Sequence, residues 1–266
     1  MQLGSSSRRR IVLVLILGGI LLLGLCFMAF WWNFFEEADQ SVETTQGDVA
    51  DKSDPFLAAR RRMVEEQLRA RDITDHRVLA AMARVPRHQF VPRELWKQAY
   101  EDHPLPIGLG QTISQPYIVA LMTQLARPTS ECRALEVGLG SGYQAAVLAE
   151  LCKEVYGIEI LEPLATAAAK RLSKLGYKNI TVRCGDGYQG WPEHAPFDII
   201  LVTAAPDHVP QPLIDQLAPG GRLVIPIGRY YQDLLLLEKQ SDGSIREENV
   251  VPVQFVPMTG EAQQRR

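Results

Sequence analysis

The residues best suited to chemistry lie in one short stretch, Leu135-Glu136-Val137-Gly138-Leu139-Gly140-Ser141-Gly142-Tyr143. Glycines at alternate positions let a main chain turn tightly and approach a ligand without interference from Cβ. A dinucleotide fingerprint would need its third glycine where Tyr143 stands. The G-x-G-x-G spacing instead suits a ligand without a pyrophosphate, chiefly the amino acid portion of S-adenosylmethionine. Two later carboxylates fit the rest of such a ligand. Glu159, about 20 residues past the loop, can accept hydrogen bonds from both ribose hydroxyls. Asp186, in Gly185-Asp186-Gly187, can accept one from an adenine amino group. The plainer readings are a solvated loop acid for Glu159 and a turn former for Asp186.

Nothing else in the chain competes with this constellation. There is no Ser-His-Asp or paired-carboxylate arrangement, and His88, His103 and His208 stand near prolines and read as polar surface residues. Cys26, Cys132, Cys152 and Cys184 have neither CxxC spacing nor the density of a disulfide scaffold, so no metal is expected, and the last three read as small buried residues in or near the sheet. Thr203-Ala204-Ala205-Pro206 is not the Asn-Pro-Pro-Tyr type of segment that holds a nitrogen acceptor, so an oxygen acceptor is favoured.

Alternating strands and helices must position these groups. Strands are expected at 133–137, 154–158, 180–183, 197–202 and 222–226, with helices at 143–151, 164–175 and 212–217 between them. Right-handed crossovers then give an α/β, doubly wound, mostly parallel Rossmann-like sheet covered on both faces. Segments 234–240 and 249–258 add an antiparallel pair at one edge. Upstream, two short amphipathic helices fill 57–83, with Asp75 capping the second. Pro86, Pro92, Pro104 and Pro106 keep the next connection irregular, and a helix resumes at 117–125 after Pro116.

The 266 residues carry a net charge of −3, which leaves no global basic surface for nucleic acid. Residues 11–35 form an apolar run of about 25 residues, long enough to cross a hydrocarbon core of about 30 Å. Arg8, Arg9 and Arg10 precede it, and Glu36, Glu37 and Asp39 follow. The expected organisation is a cytoplasmic basic N-terminus (1–10), a transmembrane helix serving as signal anchor (11–35), a flexible acidic linker (36–54), one catalytic domain (55–260) and a tail (261–266). A cleaved secretory signal is the alternative, but its apolar core is normally about 7–15 residues long. Charge asymmetry would place the domain outside the cytoplasm, away from where S-adenosylmethionine is made.

The segments 85–91, Gly110-Gln111-Thr112-Ile113-Ser114-Gln115-Pro116, the glycine loop, Gly185-Asp186-Gly187 and 195–206 together resemble the protein-L-isoaspartate (D-aspartate) O-methyltransferase family over 63–260. The resemblance implies methyl transfer from S-adenosyl-L-methionine to the free α-carboxylate of L-isoaspartyl residues in damaged proteins, starting repair through a succinimide. It implies Ser114 at the active site, with Gln111, Thr112 and Ile113 closing over the cofactor. The expected cofactor set further holds Glu136, Gly138, Gly140, Ser141, Gly142, Glu159, Asp186, Gly187 and Gln232. Two departures stand out. Leu139 occupies a loop position usually held by Thr or Ser, and typical members are cytoplasmic, with no anchor. Two other readings are a small-molecule O-methyltransferase and a non-catalytic, membrane-tethered binding protein.

Overall fold

The computed structural model describes residues 54–264. The chain divides into two units, Met1–Leu57 and Ala58–Arg266. Of the first, only 54–57 are described, and there the Asp54 carboxylate accepts a hydrogen bond from the Phe56 amide at 2.9 Å.

Helix α1 (Leu57–Arg62) continues as a π-helical segment, Met63–Arg69, and α2 spans His76–Arg84. Asp75 caps α2, its side chain accepting from the Arg77 amide, so one of the orphan donors at the helix start is satisfied. The proline-rich connection is more ordered than its composition implies. It forms two 3₁₀ turns, Arg87–Phe90 and Arg93–Gln98, and then a small hairpin of β1 (Leu105–Gly108) and β2 (Gln111–Ile113). Gly108 (φ 93°), Leu109 (φ 54°) and Gly110 (φ 73°) make its tip. Two glycines adopt the left-handed backbone freely, and Leu109 is held there between them.

Helix α3 (Pro116–Ala126) takes proline in its first turn, where the missing N–H costs no intrahelical bond. The alternating units follow: β3 (Arg133–Val137), α4 (Tyr143–Ala149), β4 (Glu154–Glu159), α5 (Glu162–Lys174), β5 (Ile180–Cys184), β6 (Phe197–Val202), α6 (Gln211–Asp215), β7 (Leu217–Ile227), β8 (Gln232–Lys239) and β9 (Ile245–Val253). The seven strands stand in the order β5-β4-β3-β6-β7-β8-β9. The first five run parallel, and β8 and β9 join antiparallel. Leu135, Val137, Ile158, Phe197, Ile200, Leu223 and Ile225 form the centre of one packed layer. Such near-continuous apolar strands are what a parallel sheet covered on both faces requires.

Three sequence expectations change. Strand β7 begins at Leu217, ahead of Pro219-Gly220-Gly221, because an irregularity opposite Phe197 and Ile199 absorbs the turn. The last strand ends at Val253, after which the chain crosses the sheet edge and exchanges hydrogen bonds with Ala205 from both sides: the Ala205 amide donates to Val256 and the Met258 amide to Ala205, each at 2.8 Å. The expected membrane localisation is corrected too. Among the described residues no helix is long and apolar enough to cross a membrane, and the run 11–35 on which that reading rested lies outside the described residues.

Candidate functional site

After β3 the chain fills the sheet on one side with β4 and β5, then returns to β6 on the other side of β3. That reversal opens a crevice at the carboxyl ends of β3 and β6, the place where open α/β sheets bind ligands. The glycine loop sits there, with Gly138 at φ 91°, Gly140 at φ 52° and Gly142 at φ 87°. A Cβ on Gly138 would stand 3.0 Å from Thr203 Oγ1, so the loop's close approach to β6 depends on glycine. Thr203 Oγ1 donates to the Gly138 carbonyl at 2.6 Å and lies 3.2 Å from that of Val137, pinning the loop to the end of β6. A Cβ on Gly187 would collide with Val137 Cγ1, so the loop after β5 also needs glycine to reach this point.

Glu159 ends β4 with both carboxylate oxygens held. The Gly140 amide donates to Oε2 at 2.7 Å and the Leu161 amide to Oε1 at 2.9 Å. Each oxygen keeps a second lone pair, and the carboxylate is set in one orientation before any ligand arrives. Asp186 is fixed similarly, Oδ1 accepting from Tyr188 at 2.9 Å and Oδ2 from the Glu261 amide at 2.7 Å. Glu136 lies behind the loop, 1% exposed, and its Oε2 has no hydrogen-bond partner. Burial first, and Glu159 second, push its carboxyl well above the ordinary range.

Two cavities open from the crevice. The narrower, about 170 Å³, is lined by Gln111, Thr112, Gly138, Gly140, Glu159 and Gly187 together with Leu109, Ile160, Thr203, Val256 and Thr259. The wider, about 640 Å³, is lined by Ser114, Gln115, Ile118 and the stretch 252–256. Thr112, Thr203 and Val256 border both. Ser114 therefore faces one chamber and Glu159 the other.

The remaining expected residues lie apart from these walls. Ile113 is buried in the hairpin opposite Leu105. Ser141 is buried at the loop's end, where its carbonyl accepts from Arg171 Nη1 at 2.8 Å, and Gly142 caps α4. Gln232 clips the Phe255 backbone, its Oε1 accepting from the amide at 2.6 Å and its Nε2 donating to the carbonyl at 3.1 Å. Leu139 is 3% exposed and packs against Gly157, where a Cβ would come within 2.7 Å of it, so its side chain points into the sheet and not toward the crevice.

The segment 85–91 is a support. Arg87 is wholly buried, donates from Nε to the Ala99 carbonyl at 2.7 Å and stands 4.9 Å over the Tyr143 ring, the first residue of α4. Burial lowers its pKa to about 10. His88, read from sequence as a surface residue, is buried with Nδ1 2.8 Å from Tyr100 Oη. His103 is partly exposed, and His208 is held between Asp207 and Tyr188. Leu109, Ile160, Thr203, Val256 and Thr259 were missed as lining residues. Leu109 carried a local signal, an apolar residue between two glycines, and Thr203 opens the segment after the 197–202 strand that the sequence ties to the acceptor; the others are placed by long-range packing. Among the described residues no group of three His, Cys, Asp or Glu side chains could hold a metal ion.

A glycine-cradled crevice at the switch point, a carboxylate fixed at the end of β4 and a second chamber beside it fit a Rossmann-like methyltransferase. Residues 58–263 match the family model "Protein-L-isoaspartate(D-aspartate) O-methyltransferase (PCMT)", and the chain belongs to that family. A protein-L-isoaspartate O-methyltransferase from Synechococcus sp. (strain JA-2-3B'a(2-13)) is 54% identical over 240 residues, covering 87% of this chain and 98% of that protein. A solved protein-L-isoaspartate O-methyltransferase superposes with a TM-score of 0.69 at 29% identity, covering 76% of this chain and 67% of that one. A Plasmodium falciparum crystal structure assigned to the same enzyme class, in complex with S-adenosyl-L-homocysteine, gives a TM-score of 0.66 at 28% identity, over 75% of this chain and 98% of that one.

Proposed function

We infer that this protein transfers the methyl group of S-adenosylmethionine to the free α-carboxylate of L-isoaspartyl residues in damaged proteins and peptides. The observation that carries the reading is the pair of cavities meeting at Thr112, Thr203 and Val256: one has the fixed carboxylate of Glu159, the other has Ser114. The residues present fit the cofactor. Gly138 and Gly140 leave the space a Cβ would fill, Glu159 is oriented for two hydroxyls, and the unpartnered Oε2 of Glu136 stands behind the loop. When bound, S-adenosylmethionine supplies an electrophilic sulfonium methyl.

The chain's own task is alignment. An isoaspartyl α-carboxylate has an unperturbed pKa of about 3.3–3.7 and is ionised at neutral pH, so no general base is needed. In this account Ser114 donates a hydrogen bond that orients the carboxylate, and Thr112 walls the junction through which the methyl passes, with Gln111 on the cofactor side. The Thr203 hydroxyl, itself at that junction, holds the Gly138 carbonyl in place by a hydrogen bond. Positioning of this kind replaces the entropy cost of a bimolecular encounter. Ile160, on the wall of the narrower cavity, supplies an apolar face for the adenine, and Asp186, next in sequence to the lining Gly187, is its acceptor in this account.

Ser114→Ala tests this reading. Turnover on an isoaspartyl peptide should fall about 10–100-fold, the scale of one lost positioning hydrogen bond, with the affinity for S-adenosylhomocysteine unchanged. Wild-type turnover would remove the role of Ser114, and equal methylation of the normal aspartyl peptide would remove the substrate assignment.

A further inference from the structure

At the amino end of the same strand, away from the glycine loop, stands a second reactive arrangement that methyl transfer does not use. Cys132 is the residue before β3, and Cys152 lies two residues before β4. The Cys132 carbonyl accepts from the Lys153 amide at 3.0 Å and lies 3.4 Å from that of Glu154, so the two backbones run side by side as neighbouring strands do. The two Sγ atoms are 2.8 Å apart, and both side chains are buried, at 5% and 6% exposure.

Access to the pair is one-sided. A cavity of about 380 Å³ beneath the sheet is lined by Cys132 along with Arg127, Glu131, Asp198 and Arg222, whereas Cys152 is not part of its wall. Cys152 beside it holds the Cys132 thiol below the ordinary range. The more acidic sulfur is thus the one a small molecule meets first.

We propose that Cys132 and Cys152 form a modification site, a dithiol that a low-molecular-weight disulfide oxidises to an intramolecular disulfide. The Cys132 thiolate attacks one sulfur of the oxidant, forming a mixed disulfide and releasing one thiolate. Cys152 loses its proton to that thiolate and attacks Cys132 Sγ, expelling the second. Two protein thiols are oxidised to one S–S bond while one external disulfide is reduced to two thiols. The ring so closed contains β3, the glycine loop and α4. The inference is independent of the methyl-transfer reading.

Peptide mapping of the full-length protein treated with oxidised glutathione tests it. Trypsin cleaves after Arg133 and Lys153, so Cys132 and Cys152 fall on different peptides joined only by the new bond. The expected result is a linked pair lighter by about 2 Da than its two parts, released by dithiothreitol. The thermal midpoint should rise by about 5–10 °C on oxidation, the scale for closing a short loop in a domain of this size. Cys152→Ser should instead accumulate a mixed disulfide on Cys132. Finding both thiols free when the exposed Cys184 is already glutathionylated would overturn the proposal. So would separate mixed disulfides on Cys132 and Cys152 with no link between them.

Discussion

The parallel strands β5-β4-β3-β6-β7 and the antiparallel pair β8-β9 contribute to the crevice in different ways. The parallel half brings side chains and glycine backbone from loops at its carboxyl edge: Gly138, Gly140, Glu159 and Gly187. The antiparallel half brings a length of main chain, 252–259, which β9 releases at Val253 and which folds back onto Ala205. The groups facing the narrower chamber come mainly from the first half, Thr112 and Ser114 come from the β1–β2 hairpin and the residues just after it, and the second half contributes the stretch 252–256 that walls the wider chamber. A wall of this kind can be held from a distance, as Gln232 holds Phe255, without its anchors touching a ligand.

Substitutions that touch one half at a time should separate the two contributions. Glu159→Gln should have the largest effect. An amide cannot accept from both the Gly140 and Leu161 amides, so one N–H is left facing another donor. S-adenosylhomocysteine affinity should weaken about 100-fold by calorimetry, roughly 2.7 kcal/mol. Leu139→Thr comes next. It supplies the hydroxyl usual in the family but removes packing against Gly157, so stability should drop by about 2 kcal/mol in urea titrations with no gain in cofactor affinity. A gain would show that this loop position faces the ligand after all.

Gln232→Ala acts on the other half. With the Phe255 clip broken, stability should fall by about 1–1.5 kcal/mol, and KM for an isoaspartyl peptide should rise several-fold while cofactor affinity holds. Loss of cofactor affinity to the extent of Glu159→Gln would erase the division between the halves. The smallest effect is one of slope. Glu136 has a folded pKa raised by burial, so above the ordinary carboxyl range the folded protein retains a proton that the unfolded chain has lost. Stability conferred by that proton is present at low pH and declines as pH rises toward the folded value, by at most about 1.4 kcal/mol per pH unit. Glu136→Gln should flatten that part of the pH–stability curve, measured without ligand. An unchanged slope would mean that Glu136 is ionised in the fold.

Sequence legibility followed the same division. The central parallel strands announced themselves as short, mostly apolar segments: 133–137 and 197–202 match β3 and β6, because burial on both faces leaves little choice at most positions. The glycine loop, Glu159 and Asp186 were readable because each stands at the carboxyl end of a strand. The antiparallel half was recognised as a pair, but its last strand was placed too far along the chain. Val256, Pro257 and Met258 are as apolar as strand residues, and local pattern cannot distinguish a strand from a segment crossing a sheet edge. The hairpin at 105–113 was hidden by its prolines, and the burial of His88 depends on Trp96 from the next 3₁₀ turn and Tyr100 just after it.

Residue types and spacing alone determined that the chain builds a methyltransferase sheet and which loops carry its glycines and carboxylates, because backbone conformation and strand burial are local demands. Tertiary packing decided the rest. Glu159 finds both of its amide donors, Leu139 turns inward onto Gly157, Thr203 stands between two chambers, and two cysteines 20 residues apart come within 2.8 Å. These pairings depend on how strands are ordered and how closely their ends approach, and a linear pattern of hydrophobicity carries no record of that distance.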